Sequence, residues 1–404
     1  MIEPLNTPVR TIMTPGPVEA YPSVLRAMST PILGQFDPAF VSIMDDVKEM
    51  ISQTFQTKNE QSFVVDGTSR SGIEASLIAL IEPGDKVLIP AYGRFAYLLV
   101  EICERAQAEV ILLERKWNGV FSEDEIIEAV KKYQPKVLAM VHGETANAQM
   151  QPLAKIGQFC QTTDTIFVVD VVATYGGTAV LVDEWGIDIA IAGTQKCLSV
   201  PSGLSLVTYN QRVEELITSR YQKELGLGDD VRNNHPISSN YLDLSQIQRY
   251  WSKQRINHHT EATSMLYALH EGLRLFLNEG LDVRFERHAL NHLAITSGIE
   301  AMGLSIYGDV ETKMPTVIPV VVPAGVDAEE VRQMLLQDFG VEIASSFGPL
   351  AGKIWRIGNM GYSSRKENVL HVLSALEATL VYFDVPINQG RAVQKALSIY
   401  EQVK

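Results

Sequence analysis

The sequence is poor in the features that would tie it to a disulfide scaffold, a metal cluster, a nucleic acid or a membrane. Only three of its 404 residues are cysteine. Cys103, Cys160 and Cys197 lie far apart with no CxxC, so neither a disulfide framework nor a zinc site is suggested, and no metal site is expected. No Lys/Arg block occurs, and the formal net charge of -14 opposes a nucleic-acid or anionic-membrane surface, which needs a basic face. No stretch approaches the run of about 18 apolar residues that a membrane span requires. The opening "MIEPLNTPVRTIMTPGPVEAYP" carries acidic and proline residues where a signal peptide has an apolar core, which fits a cytoplasmic protein, as does the cysteine usage. Internal repeats and low-complexity segments are missing. So are GxGxxG and GK[ST], which disfavours a nicotinamide dehydrogenase or a Walker-type nucleotide site.

What remains is an ordinary globular composition, 46% hydrophobic and 20% charged, in a chain long enough to bury a large core and suited to small-molecule substrates. From about 60 to 210, short β-branched runs alternate with amphipathic segments: "SFVVDG", "KVLIPA", "EVILLE", "VLAMVHG", "TIFVVDVV", "DIAIAG" and "GLSLVTY" read as strands, with helices such as "SGIEASLIALI" and "EDEIIEAVKKY" between them. That alternation predicts a mainly parallel sheet between helices, an α/β fold. Residues 211 to 256 read as polar and irregular, with "GLGDDVRNNHPISSN" as an excursion. A long helix is expected near "EATSMLYALHEGLRLFLNEGL", followed from 282 by a smaller α+β domain containing the strands "TVIPVVVP" and "KIWRIGN". The resulting division is an N-terminal extension (1–20), a large α/β domain (21–281) and a small domain (282–404).

In open α/β sheets, ligands lie beyond the carboxyl ends of the strands, so the residues that follow each strand carry the functional reading. "DGTSRSG" offers small residues opening a helix, whose free N–H groups suit a phosphate. Phe95 follows "KVLIPA"; His142, Gly143, Glu144 and Thr145 follow "VLAMV"; Asp170 follows "TIFVV"; Lys196 follows "DIAIAG". Each alone is equally what a turn, a core aromatic or a solvated strand end would show. Together they converge on a phosphorylated aromatic cation with an aldehyde. Pyridoxal 5'-phosphate offers a phosphate for the Gly67 to Ser71 turn, a stacking face for Phe95, a ring nitrogen for Asp170 and an aldehyde for Lys196, whose amine is weakly protonated when partly desolvated.

"TPGPVEAYPSVLRAM", "HGETANAQMQPL", "VVDVVATYGG", "AGTQKCLSVPSG", "NHHTEATSMLYALHEGL" and "GKIWRIGNMG" resemble, in that order and over nearly the whole chain, the class V, fold-type I aminotransferases related to alanine–glyoxylate and serine–pyruvate transaminases. The resemblance implies a seven-stranded sheet, a homodimer with active sites at the subunit interface, and pyridoxal 5'-phosphate covalently held by Lys196. It makes Asp170 the partner of the ring nitrogen and Phe95 the stacking residue. Thr68, Ser69, Arg70 and Gln195 would lie around the phosphate, with Thr145 and Val172 also against the cofactor. Arg356 would clamp a substrate carboxylate. Asn257, His259 and Thr260 would reach the neighbouring subunit's cofactor, and His142 would serve as scaffold. Ala146, Asn147 and Val171 depart from the residues common in relatives.

Within that family, Gln35 and Asn257 look like the branch that transaminates (S)-ureidoglycine with glyoxylate to oxalurate and glycine in purine breakdown. A ureido group pairs a donor with an acceptor, and two carboxamides offer the complement. Both positions are also compatible with an interface role, and with an alanine– or serine–glyoxylate transaminase. A non-catalytic module keeping the fold would have lost Lys196 or Arg356, and both are present.

Overall fold

In a computed structural model that describes residues 2–225 and 233–402, seven strands form one sheet. From one edge to the other they are Gln61–Asp66, Leu204–Tyr209, Ile189–Gly193, Ile166–Asp170, Val137–Val141, Lys86–Ala91 and Glu109–Glu114. Neighbours from Ile189–Gly193 through to Glu109–Glu114 pair in parallel. Leu204–Tyr209 pairs antiparallel with both of its neighbours. Gln61–Asp66 therefore runs with the parallel set, and every strand but one ends on the same rim. The central strands are buried along their whole length, which is why they read as unbroken apolar runs rather than alternating ones.

Helices cover both faces of that sheet, and their ends follow local chemistry. The helix Glu123–Tyr133 begins at a capping box, with Ser122 and Glu125 satisfying each other's backbone N–H groups, and it ends at Gln134 in the left-handed conformation. The stretch expected to be irregular is corrected: 211 to 256 contains the helices Gln211–Ser219 and Leu244–Trp251. Asn210 caps the first by accepting from Val213 N at 3.2 Å, and Asp243 caps the second by accepting from Ser245 N at 2.8 Å. The first helix buries only Val213 and Ile217, too few apolar positions to register as a periodic pattern. Residues 226–232 of the expected excursion lie outside the described residues.

Beyond the long helix Thr263–Glu279, the chain continues as Leu281–Met302 and a three-stranded antiparallel sheet in the order Val317–Val321, Ile354–Gly358, Ala344–Ser345. The helices Ala328–Asp338, Lys366–Tyr382 and Arg391–Glu401 complete it. Two large apolar clusters result. One runs from Val24 to Phe276 around the main sheet, and the second gathers residues from Ala294 to Ile399. Met13 belongs to the second, because Thr11–Ile12 pairs in parallel with Val341–Glu342. Gly358 N then donates to Met13 O at 2.7 Å. The N-terminal segment is thereby strapped onto the smaller unit and drawn across the rim of the larger one.

The strap requires glycine at 358, where an added Cβ would stand 1.9 Å from Thr14 O. Gly358→Ala is expected to lower stability by about 1–3 kcal/mol through overpacking against backbone that has no free space to yield. Urea titration checks this, and an unchanged midpoint would show that the strap moves freely.

Candidate active site

A cleft with a cavity volume of about 240 Å³ lies on the common rim, and Thr68, Ser69, Arg70, Phe95 and Thr145 line it together with Asp170, Val172, Gln195 and Lys196. Every single-chain cofactor position expected from sequence is therefore brought to one place. The register explains much of this, since Val141 stands beside Asp170 and Asp170 beside Ile191, so the residues after these strands emerge side by side.

At one end, the helix Ser69–Leu80 starts from Thr68, which makes no side-chain cap, and Thr68, Ser69 and Arg70 line the cleft, so the positive end of the helix lies there. Ser69 and Gln195 bond each other, Gln195 Nε2 donating to Ser69 Oγ at 2.7 Å, which joins this helix start to the turn before Lys196. These groups, with Arg70, make an anion cradle.

In the middle, Asp170 is 6% exposed and accepts from Val172 N at 2.9 Å. Burial raises its pKa to about 6, opposed by that hydrogen bond and by the Lys196 charge. Lys196 stands apart from it, with no ion pair joining the two among the described residues, and its Nζ donates to the carbonyl of Pro15. Burial, helped by the Arg356 charge, lowers the Lys196 pKa to about 8. Gly16, at a φ of +110°, has no side chain because the lysine fills that space: a Cβ would meet Lys196 Cδ at 2.6 Å. From the other side, the fully buried Arg284 anchors the next residue, donating to the carbonyls of Cys197 and Gly176.

The wall beyond is built from Phe95, Phe347 and Arg356. The two rings meet edge to face with centroids 6.3 Å apart, and the Arg356 guanidinium lies 4.6 Å from the Phe347 centroid. Arg356 Nη1 donates to Thr145 O at 2.9 Å and Nε to Ser345 O at 2.7 Å. Glu144, which sequence reasoning left as one of several rim polar groups, ties the wall together. Its carboxylate accepts from Phe95 N at 2.7 Å and Ala146 N at 2.8 Å. Burial raises its pKa to about 7, against the pull of those bonds and of Arg356. His142 lies behind the rim, 2.8 Å from Thr174 Oγ1, with its pKa pushed down to about 3 by burial.

The remaining predicted residues lie elsewhere. Gln35 Nε2 donates to Asn257 Oδ1 at 2.6 Å, but neither residue lines the cleft. Asn257 and Thr260 are exposed. His259, expected to reach a neighbouring subunit, instead directs its ring into its own chain, 4.9 Å from the Tyr250 ring and 3.4 Å from Asp66 Oδ2. The role of Pro15 and Gly16 carried no sequence signal beyond the "TPGP" motif, and that of Arg284 carried none.

The electrostatics give a test with a definite sign. Asp170 titrates near 6 in the folded chain and at 3.8 when unperturbed. The proton it retains therefore stabilises the fold below 3.8, and this contribution is lost as pH rises through about 6. In cofactor-free protein, Asp170→Asn should gain on the wild type by up to about 3 kcal/mol between pH 4 and pH 7. Denaturant midpoints of both proteins at the two pH values measure it, and a constant difference would refute the assignment of the shift to burial.

The sequence model described as Aminotransferase class-V matches residues 25–359. The chain is 58% identical over 402 residues to an (S)-ureidoglycine–glyoxylate transaminase of Bacillus subtilis, covering 98% of this chain and 97% of that protein. It is 35% identical to an alanine–glyoxylate aminotransferase of Drosophila melanogaster over 93% of this chain and 94% of that one. The crystal structure of a ureidoglycine–glyoxylate aminotransferase from Bacillus subtilis superposes with a TM-score of 0.95 at 58% identity, covering 99% of this chain and all (100%) of the other. With that match in sequence and fold, the chain belongs to the class-V aminotransferase family.

Proposed function

We propose that the protein transfers the amino group of (S)-ureidoglycine to glyoxylate, giving oxalurate and glycine, with pyridoxal 5'-phosphate held by Lys196. The cleft fits that cofactor. Its anion cradle at Thr68, Ser69, Arg70 and Gln195 suits the phosphate, and Phe95 supplies a stacking face. Asp170 is a buried acid with no cationic hydrogen-bond partner among the described residues, and a protonated ring nitrogen would remove the cost of its charge. When bound, the cofactor supplies an electron sink that lets the α-hydrogen of the amino donor leave as a proton.

The chain's own groups do the rest. Lys196 Nζ is a base matched to neutral or mildly alkaline pH, and it holds the proton in transit. That amine is bonded to the Pro15 carbonyl rather than to Asp170. Arg356 presents a planar fork to the substrate carboxylate, oriented by the carbonyls of Thr145 and Ser345. Glu144 fixes Phe95 and the 144–146 turn on either side of the reacting space, and Val172 holds Asp170 in place through its N–H.

The observation that carries the substrate assignment is the bonded carboxamide pair of Gln35 and Asn257, in a chain so like a ureidoglycine–glyoxylate transaminase. The Asn257 amide nitrogen has no bond among the described residues, so a donor remains for a ureido carbonyl. Because the pair lies off its own cleft, the reading requires a homodimer in which Gln35, Asn257 and Thr260 complete the partner's site. Exposed Ile32 and Phe36, 73% and 71% accessible, supply apolar surface beside Gln35 for such an interface. The reading carries with it a cytoplasmic enzyme divided at about 21–281 and 282–404.

Purified protein should lose its yellow cofactor absorbance on adding ureidoglycine and regain it with glyoxylate. Alanine turnover equal to or better than ureidoglycine turnover would favour an alanine–glyoxylate transaminase. Asn257→Tyr should lower the preference for ureidoglycine over alanine by about 10- to 100-fold, because the ureido group loses a paired donor. Steady-state kcat/KM for the two donors decides it, and an unchanged ratio would remove Asn257 from the substrate site.

A further inference from the structure

Three lone-pair groups face one another just behind the phosphate cradle. Asp66 ends the strand that feeds the cradle, and His259 and Glu261 belong to the loop that carries Asn257 and Thr260. His259 Nε2 lies 3.4 Å from Asp66 Oδ2 and 3.8 Å from Glu261 Oε2, and one donor atom from each residue falls within 4.8 Å of the others. Glu261 is only 4% exposed. Both of its carboxylate oxygens lack a hydrogen-bond partner among the described residues, as do Asp66 Oδ1 and His259 Nε2. Buried carboxylates are seldom left in this state, because an unpaired one is costly.

The histidine tautomer sharpens the problem. His258 Nε2 lies 3.2 Å from the carbonyl of Asn240. A carbonyl only accepts, so that nitrogen carries the hydrogen, and in neutral His258 the Nδ1 is then a bare acceptor. His259 Nδ1 sits 2.8 Å from it and must donate. Neutral His259 therefore turns an unprotonated Nε2 toward two carboxylates. Three acceptors then converge, and the one hydroxyl that faces them, that of Tyr250, is itself without a hydrogen-bond partner among the described residues. A hydrogen bond from one imidazole nitrogen that orients the other as a ligand is also the usual support of a metal-bound histidine.

We infer that Asp66, His259 and Glu261 form a binding site for a divalent first-row cation of the zinc or manganese type. One imidazole and two carboxylates are the borderline-to-hard donor set such ions take. Two ligands about 2.1 Å from a tetrahedral ion stand about 3.4 Å apart, which is close to the separations from His259 Nε2. The ion would clip the 257–261 loop to the start of the phosphate turn. That loop is also held by Gln35, whose Oε1 accepts from Glu261 N at 3.3 Å. No sequence spacing announces the site, because its ligands come from positions nearly two hundred residues apart.

Holoenzyme stripped with a chelator and re-equilibrated with Mn²⁺ or Zn²⁺ alone, then desalted, should retain one ion per chain by elemental mass spectrometry. The Mn²⁺ form should show an immobilised EPR signal, and the thermal midpoint should rise on adding the ion. Glu261→Gln should weaken Mn²⁺ binding at least about 10-fold and abolish the midpoint shift, with cofactor absorbance reporting that the fold is intact. Asp66→Asn provides the same comparison should Glu261→Gln not fold. Retention of less than a tenth of an equivalent by the wild type would overturn the proposal, the trio then being neutralised by protons alone. Equal binding by the wild type and a folded variant would also overturn it, by placing the ion elsewhere.

Discussion

The site depends on keeping an amine and a carboxylate close without letting them pair. Lys196 and Asp170 emerge from adjacent strands of one rim, and a direct ion pair would be the cheapest way to bury both. It would also remove both from chemistry. Lys196 Nζ instead has the Pro15 carbonyl as its acceptor, and no ion pair with Asp170 occurs among the described residues. Burial moves both groups, raising Asp170 to about 6 and, with the Arg356 charge, lowering Lys196 to about 8. Each is held nearer to its neutral form than water would allow, which suits a group that must take up and release bonds.

That acceptor is supplied by a segment with no core of its own. Residues 11 to 17 reach the rim only because Thr11–Ile12 pairs with Val341–Glu342 and Gly358 receives the strap. Gly358 closes the strand that also carries Arg356. The smaller unit therefore contributes twice, with a guanidinium in the wall and with the anchorage of the carbonyl that holds the lysine. Arg284 adds a third tie, running from the helix Leu281–Met302 to the residue after Lys196. Preorganisation of this kind is assembled from long-range contacts rather than from any one motif.

Sequence reading recovered the parts whose signal is local. "KVLIPA", "EVILLE" and "EDEIIEAVKKY" coincide with their elements to the residue, because a short apolar run marks a strand of such a sheet and a capped amphipathic helix carries its own period. Lys196, Asp170 and Phe95 were legible since a parallel sheet delivers the residues after its strands to one rim. Less legible were groups whose meaning lies in a distant partner. Glu144 resembled its polar neighbours until its bonds to Phe95 N and Ala146 N placed it inside the wall. His259 was expected by resemblance to reach a neighbouring subunit, and nothing local in the sequence announced its contacts with Asp66 and Tyr250. The helices Gln211–Ser219 and Leu244–Trp251 were missed for a different reason, since the first buries only two apolar side chains and the second is just eight residues long.

On the proposed reading, one chain holds the cofactor half of a site and displays on its surface the other half of a second copy's site. Asp170, Lys196 and the anion cradle line the cleft and Arg356 packs against Phe347 and the Thr145 carbonyl beside it, whereas Asn257 and Thr260 are exposed and the Gln35–Asn257 pair is satisfied only in part. On the proposed reading this division has a chemical use. The groups that every transamination needs are fixed by one fold, and those that discriminate among donors arrive from a second copy. Substrate choice can then change at Gln35 and Asn257 with little strain on Lys196, since no hydrogen bond joins the two sets among the described residues. The connection that does exist runs through the 257–261 loop, where Gln35 grips Glu261 N and Glu261 faces Asp66 at the entrance to the phosphate turn. On the same reading, whatever neutralises that acidic pair governs how firmly Gln35 and Asn257 are presented to a second copy of the chain.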